Sequence, residues 1–84
     1  MPTYKITFEK QAQKFLEKQD KSNRLRLYKA IYKLPNGTDI KKLKGHNLYR
    51  LRVGDYRIIY TVEDTIRLID IENIDNRGDV YKRL

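Results

Sequence analysis

Three arginines, Arg50, Arg52 and Arg57, stand on either side of a Gly54-Asp55 pair, in stretches that alternate polar and apolar residues (LYRLRV, then YRIIYTV). A two-residue turn at Gly54-Asp55 sets Val53 opposite Tyr56, Arg52 opposite Arg57, Leu51 opposite Ile58 and Arg50 opposite Ile59. Paired residues in a sheet share a face, so all three arginines point the same way. Like charges directly opposite each other destabilise a sheet by up to about 1 kcal/mol. An anion held between them removes that penalty, and the guanidinium fork suits the oxygens of a phosphate. One ordinary explanation stays open. If Glu63-Asp64 is also a two-residue turn, Arg57 faces Asp70 and forms a cross-strand salt bridge.

The rest of the composition agrees with a polyanionic partner. The chain has 84 residues and a formal charge of +8, from 19 Lys+Arg against 11 Asp+Glu, an electrostatic footprint of nucleic-acid binders and of partners of acidic proteins. Residues 1–42 hold nine Lys and two Arg, and residues 43–84 hold two Lys and six Arg. Lysine is a hydrated point charge suited to a solvated helix face, so the chemistry is sought in the second half. The length fits one domain, 1–84, with a thin core and a surface groove in place of an enclosed pocket. Cysteine is absent, which rules out disulfides, thiolate catalysis and zinc ribbons and suits a reducing cytoplasm. No apolar run is long enough to span a membrane or serve as a signal peptide. The acids are scattered and mostly in turns, so no metal and no other cofactor is expected.

The elements that must position the arginines follow from periodicity. Tyr4, Ile6 and Phe8 alternate in a first strand, Thr3–Phe8. Ala12, Phe15 and Leu16 recur at helical spacing over residues 9–18. Asp20 or Ser22 caps a second helix, in which Leu27, Ile31 and Leu34 share a face until Pro35-Asn36-Gly37 stops it. A basic turn, Lys41 to Asn47, leads to three antiparallel strands at 48–53, 56–62 and 65–71, the last apolar on both faces. The order β-α-α-β-β-β with a short C-terminal segment predicts an α+β domain: a small four-stranded, antiparallel-type sheet with a helical hairpin on one face. Tyr49, Leu51, Val53, Tyr56, Ile58 and Tyr60 supply the packed face, and the arginine face stays open. The polar tail, Asn73 to Leu84, can bring Arg77 and Tyr81 back over that open face. A tyrosine so placed also serves as a packing or partner contact.

The stretch Leu43-Lys44-Gly45, then Tyr49 to Tyr60 (YRLRVGDYRIIY), then Ile74 to Tyr81 (IDNRGDVY), resembles the RelE/ParE toxin superfamily, and the likeness covers nearly the whole chain. RelE-like members enter the ribosomal A site and cut mRNA there; ParE-like members poison DNA gyrase and lack the nuclease residues. The resemblance implies a RelE-like domain in which Tyr81 is the general base. Arg50, Arg52 and Arg57 hold the phosphate, and Arg77 neutralises the leaving group. Relatives often carry lysines where this chain has Arg50 and Arg52, and Gly78 replaces a second basic residue found in many. A YoeB-like branch uses a glutamate and a histidine, but the one histidine here, His46, falls in the basic turn and is expected to be a surface residue.

The implied chemistry needs only the RNA: its 2′-OH attacks the adjacent phosphate, leaving a 2′,3′-cyclic phosphate and a free 5′-OH. An ordinary tyrosine, with a pKa near ~10, is about one part in a thousand ionised at pH 7. Arginines within ~6 Å favour the phenolate by up to about 1–3 pH units, which covers most of the gap. Arg77 is a poor proton donor, because guanidinium pKa values exceed about 12. The expected partners are mRNA on the ribosome, ribosomal RNA along the lysine-rich helices, and a cognate antitoxin, acidic or amphipathic and RelB-like. The other outcomes are a gyrase poison on the same fold and a non-catalytic RNA- or protein-binding module.

Overall fold

The computed structural model describes residues 3–43 and 47–76. Arg77, Tyr81 and His46 lie outside the described residues, as does the segment after Asn76.

The element order is β1 (Lys5–Phe8), α1 (Lys10–Glu17), α2 (Lys21–Ile31), β2 (Ile40–Leu43), β3 (Leu48–Val53), β4 (Tyr56–Glu63) and β5 (Leu68–Asp75). One sheet has the order β1-β5-β4-β3-β2. Its β2–β3, β3–β4 and β4–β5 pairs are antiparallel, and β1 joins β5 in parallel. The α+β class is as expected, but the sheet has five strands where four were expected, and it is mixed. The additional strand is β2, whose sequence IKKL overlaps the stretch expected to be a basic turn. It is an edge strand with exposed Lys41 and Lys42, and lysine on an edge discourages pairing with other chains. A strand built to be unattractive at its edge is hard to tell from a polar turn.

The second helix begins at a capping side chain, whereas α1 starts after Glu9 without one. Asp20 caps α2 by accepting the Asn23 N–H at 2.8 Å, satisfying one of the orphan donors of the first turn. That helix ends at Ile31, and Leu34, expected on its last turn, lies beyond it yet remains buried. Ala12 and Leu16 of α1, with Leu27 and Ile31 of α2, pack on Leu51, Ile58, Tyr60, Ile69, Ile71 and Ile74 of the sheet. Tyr49, Val53 and Tyr56 flank this core, so the face expected to receive the helices is the one that does.

The β4–β5 connection differs from expectation. Glu63 pairs with Leu68, leaving four residues in the turn, with Arg67 in the left-handed region at φ 51°. Ile66, expected inside a central strand, is an exposed turn residue. The last strand accordingly starts three residues later and runs on through Asn73 to Asp75, residues expected in the tail. A bulge between Ile59 and Tyr60 shifts the register once more. Past the end of β1, Ile74 would leave its backbone unpaired on one side. The Gln11 carboxamide of α1 fills the gap, donating to the Ile74 carbonyl and accepting the Ile74 N–H, both at 2.9 Å.

Candidate nucleic-acid interface

The β3–β4 hairpin turns as expected. Gly54 has φ 58° while Asp55 does not share the positive φ, the pattern of a two-residue turn with glycine first. Val53 pairs with Tyr56 and Arg52 with Arg57, so the like-charge pair read from the sequence is present. The helix-free face carries two cross-strand rows. One runs Arg52, Arg57, Asp75; the other runs Lys41, Arg50, Ile59, Asn73. Arg57 therefore faces Asp75, not Asp70, because the longer turn slides β5 along β4 by four residues and the bulge between Ile59 and Tyr60 adds a fifth.

This face is not uniformly open. Ile59 is fully buried, Asp75 is 4% exposed, and the Arg50 side chain is 12% exposed against 45% for Arg52. The expectation of an open face holds at the Arg52 rim and fails at the centre. There Ile58 and Ile59 are consecutive, so β4 buries apolar side chains on both sides. Arg50 Nε and Asn73 Oδ1, on either side of Ile59, are buried without a hydrogen-bond partner among the described residues. An unmet buried donor costs about 1–3 kcal/mol, which a ligand oxygen would recover. Beside Arg52 lies a groove of about 320 Å³ lined by Ala30, Lys33, Thr38, Leu51 and Val53.

Two residues of this site were not expected from the sequence. Lys41 pairs directly with Arg50 and extends the cation row onto β2. Asp39, just before β2, accepts from Arg50 Nη2 at 2.8 Å, and its second oxygen lies 3.8 Å from Arg52 Nε. An acid next to the basic stretch, in a Gly-Thr-Asp turn, was the available signal. Lys42 points to the other face, with its ammonium 5.9 Å from the centre of the Tyr49 ring.

Neither tyrosine whose acidity is altered among the described residues suits a general base. Burial, aided by the neighbouring Tyr49, pushes the Tyr60 phenol up to about 12. The Tyr4 phenol is raised chiefly by its hydrogen bond to Asp64.

The acids expected to be scattered are in part gathered. Carboxylate oxygens of Glu9, Asp70 and Glu72 lie within 4.8 Å of one another, where the chain leaving β1 meets β5. They are the described residues with the reach to ligate a hard cation. Their charge is managed internally. Hydrogen bonding to Asp70, then burial, pushes Glu72 up to about 7. Burial alone would raise Asp70, but hydrogen bonds from Glu72, Glu9 and Thr7 outweigh it and hold Asp70 below the usual range.

A mixed sheet backed by a helical hairpin is the fold this chain shares with the toxins of solved toxin–antitoxin complexes. Residues 6–81 match the family model described as ParE toxin of type II toxin–antitoxin system, parDE, and the chain belongs to that family. Its fold is similar to RelE of the Pyrococcus horikoshii RelE–RelB complex, at 31% identity and TM-score 0.77 over 92% of this chain and 98% of that one. It is also similar to the Methanococcus jannaschii RelB–RelE complex, at 32% identity and TM-score 0.72 over 93% and 98%. A curated Methanocaldococcus jannaschii protein bearing the toxin name RelE1 is 44% identical over 45 residues, 52% of this chain. That match spans 50% of the length of the curated relative. No helix among the described residues is long and apolar enough to cross a membrane.

Proposed function

We propose that this chain acts in the cytoplasm as a single toxin domain, residues 1–84, and is a metal-independent, ribosome-dependent endoribonuclease that cuts mRNA in the ribosomal A site. The observation that carries the reading is Arg52 directly opposite Arg57 with Arg50 on the same face, an arrangement that favours a bound phosphate over the bare protein. These three cations stabilise the extra charge that develops on the phosphorane. Tyr81 removes the 2′-OH proton, and Arg77 neutralises the departing 5′-oxygen. Placing the RNA strand against these groups is the task assigned to the ribosome. A RelB-like antitoxin neutralises the toxin, as supported by the solved RelE–RelB complexes of similar fold.

The ParE description of the matching family favours one second reading, a poison of DNA gyrase. Primer extension on a defined mRNA with programmed ribosomes separates the two, with Tyr81→Phe and a ribosome-free reaction alongside. Ribosome-dependent cleavage at the A-site codon, lost in Tyr81→Phe, is the expected result. Intact mRNA with wild-type protein, together with failed supercoiling by gyrase, moves the assignment to the second reading. RNA binding with neither effect leaves a non-catalytic module.

A further inference from the structure

We propose that Asp39 is a resident counter-anion of the arginine face, holding Arg50 and Arg52 in the RNA-free protein and giving way when an RNA phosphate binds them. The inference rests on the phosphate-binding reading of that face. Asp39 precedes β2 with φ 58°. Its carbonyl oxygen accepts the Arg52 N–H at 3.2 Å, so the backbone fixes where the carboxylate sits. From there one carboxylate reaches two guanidinium groups, Oδ1 accepting from Arg50 at 2.8 Å and Oδ2 lying 3.8 Å from Arg52. A phosphodiester likewise spreads a single negative charge over two oxygens and makes the same kind of contact with the same two forks.

The two contacts are unequal, and this assigns the order of exchange. The Arg50 contact is short and its side chain is 12% exposed; at the Arg52 contact both partners are 45% exposed. An incoming phosphate therefore meets Arg52 first, and the half-exposed carboxylate can turn into water as Arg50 changes partner. The same carboxylate offsets part of the repulsion between Arg52 and Arg57 until RNA arrives. Asp39 is in this sense a positioning residue that competes with the substrate for the cations it positions.

The test is the affinity of the whole chain for a 2′-O-methylated RNA oligonucleotide, which lacks the attacking hydroxyl, measured by fluorescence anisotropy at low salt. Asp39→Asn removes the charge and keeps a side chain that tolerates the left-handed backbone. It is expected to bind about fivefold more tightly, which corresponds to ~1 kcal/mol, the upper range for a half-exposed ion pair. Glu17→Gln, the same change in net charge on the exposed face of α1, is expected to shift affinity by less than about twofold, as screened surface charges do. A merely structural Asp39 would lower the melting temperature of the Asn variant without tightening binding. Equal effects of the two substitutions, or weaker binding by Asp39→Asn, overturn the inference. Arg52→Ala separates the levels. If it leaves RNA affinity unchanged, the phosphate reading falls and this inference with it; if it weakens binding while Asp39→Asn gains nothing, only the counter-anion is wrong.

Discussion

Arg52 lies directly across the β3–β4 hairpin from Arg57, a pairing that weakens the sheet it belongs to. Asp39 compensates on one side of the pair, and Asp75 stands opposite Arg57 on the other. Function and stability should part company here. Arg57→Ala relieves the repulsion from Arg52 but also removes the cation facing the buried Asp75, so the two effects offset and the thermal midpoint is expected to move by less than about 4–8 °C in either direction, the equivalent of ~1 kcal/mol in a domain of this size. Ribosome-dependent cleavage should fall by about 10²–10³-fold, as when one preorganised donor is removed from a charged transition state. Paired melting curves and cleavage rates check both halves; a large loss of stability would mean that Arg57 is chiefly structural.

The hairpin that presents these arginines depends on a residue with no side chain. Gly54 has φ 58°, and a β-carbon there would run into the Arg26 guanidinium from α2. Gly54→Ala should cost about 1–2 kcal/mol for the left-handed backbone alone, with a further loss as Arg26 is displaced. A drop of roughly 5–15 °C in thermal midpoint is expected. Adding Arg26→Ala should recover the steric part and leave the backbone part, which scanning calorimetry of the single and double variants would separate.

Acidity at the other edge of the sheet makes stability depend on pH. Glu72 holds its proton up to about pH 7, well above its ordinary value of 4.5. The folded state therefore binds more protons than the unfolded chain between those values, and this contribution to stability is lost as pH rises through about 7. The depressed Asp70 works in the opposite sense at lower pH, losing its contribution as pH falls. Glu72→Gln keeps the neutral, hydrogen-bonding form at every pH. Its melting temperature should match wild type near pH 5 and exceed it by about 2–4 °C near pH 8, allowing for solvent screening. A gap that is the same at both pH values would show that Glu72 titrates normally.

Core and turn isoleucines should respond very differently. Ile58 is fully buried between the helices and the sheet, whereas Ile66 is 68% exposed. Ile58→Ala should lose about 2–5 kcal/mol in urea unfolding, and Ile66→Ala should stay within ~0.5 kcal/mol of wild type.

What could be read directly from the sequence was local. Gly54-Asp55 between two alternating stretches dictates a tight hairpin, and a tight hairpin leaves one register, so the spacing of Arg50, Arg52 and Arg57 is enough to put them on one face. The capped helix at Asp20 and the apolar face of the sheet follow from the same short-range periodicities. The resemblance carried by that hairpin and the Arg77-to-Tyr81 stretch pointed to the toxin superfamily as well.

Tertiary structure decided what depends on distant partners. Whether Asp64 to Arg67 forms a four-residue turn is settled by how β5 fits between β4 and β1, and that turn together with the bulge between Ile59 and Tyr60 moved the residue facing Arg57 from Asp70 to Asp75. Ile40–Leu43 became a strand because β3 offered it an edge, although its own lysines resemble a turn. Gln11 meets Ile74, and Glu9 meets Asp70 and Glu72, across some sixty residues of chain, a separation at which no local pattern specifies contact. Asp39 reached its arginines in the same way, through a backbone bond to Arg52 that exists only once β2 is laid against β3. Short-range sterics and hydrophobic periodicity are written into neighbouring residues, whereas register, edge pairing and charge clusters appear only when the whole chain has packed.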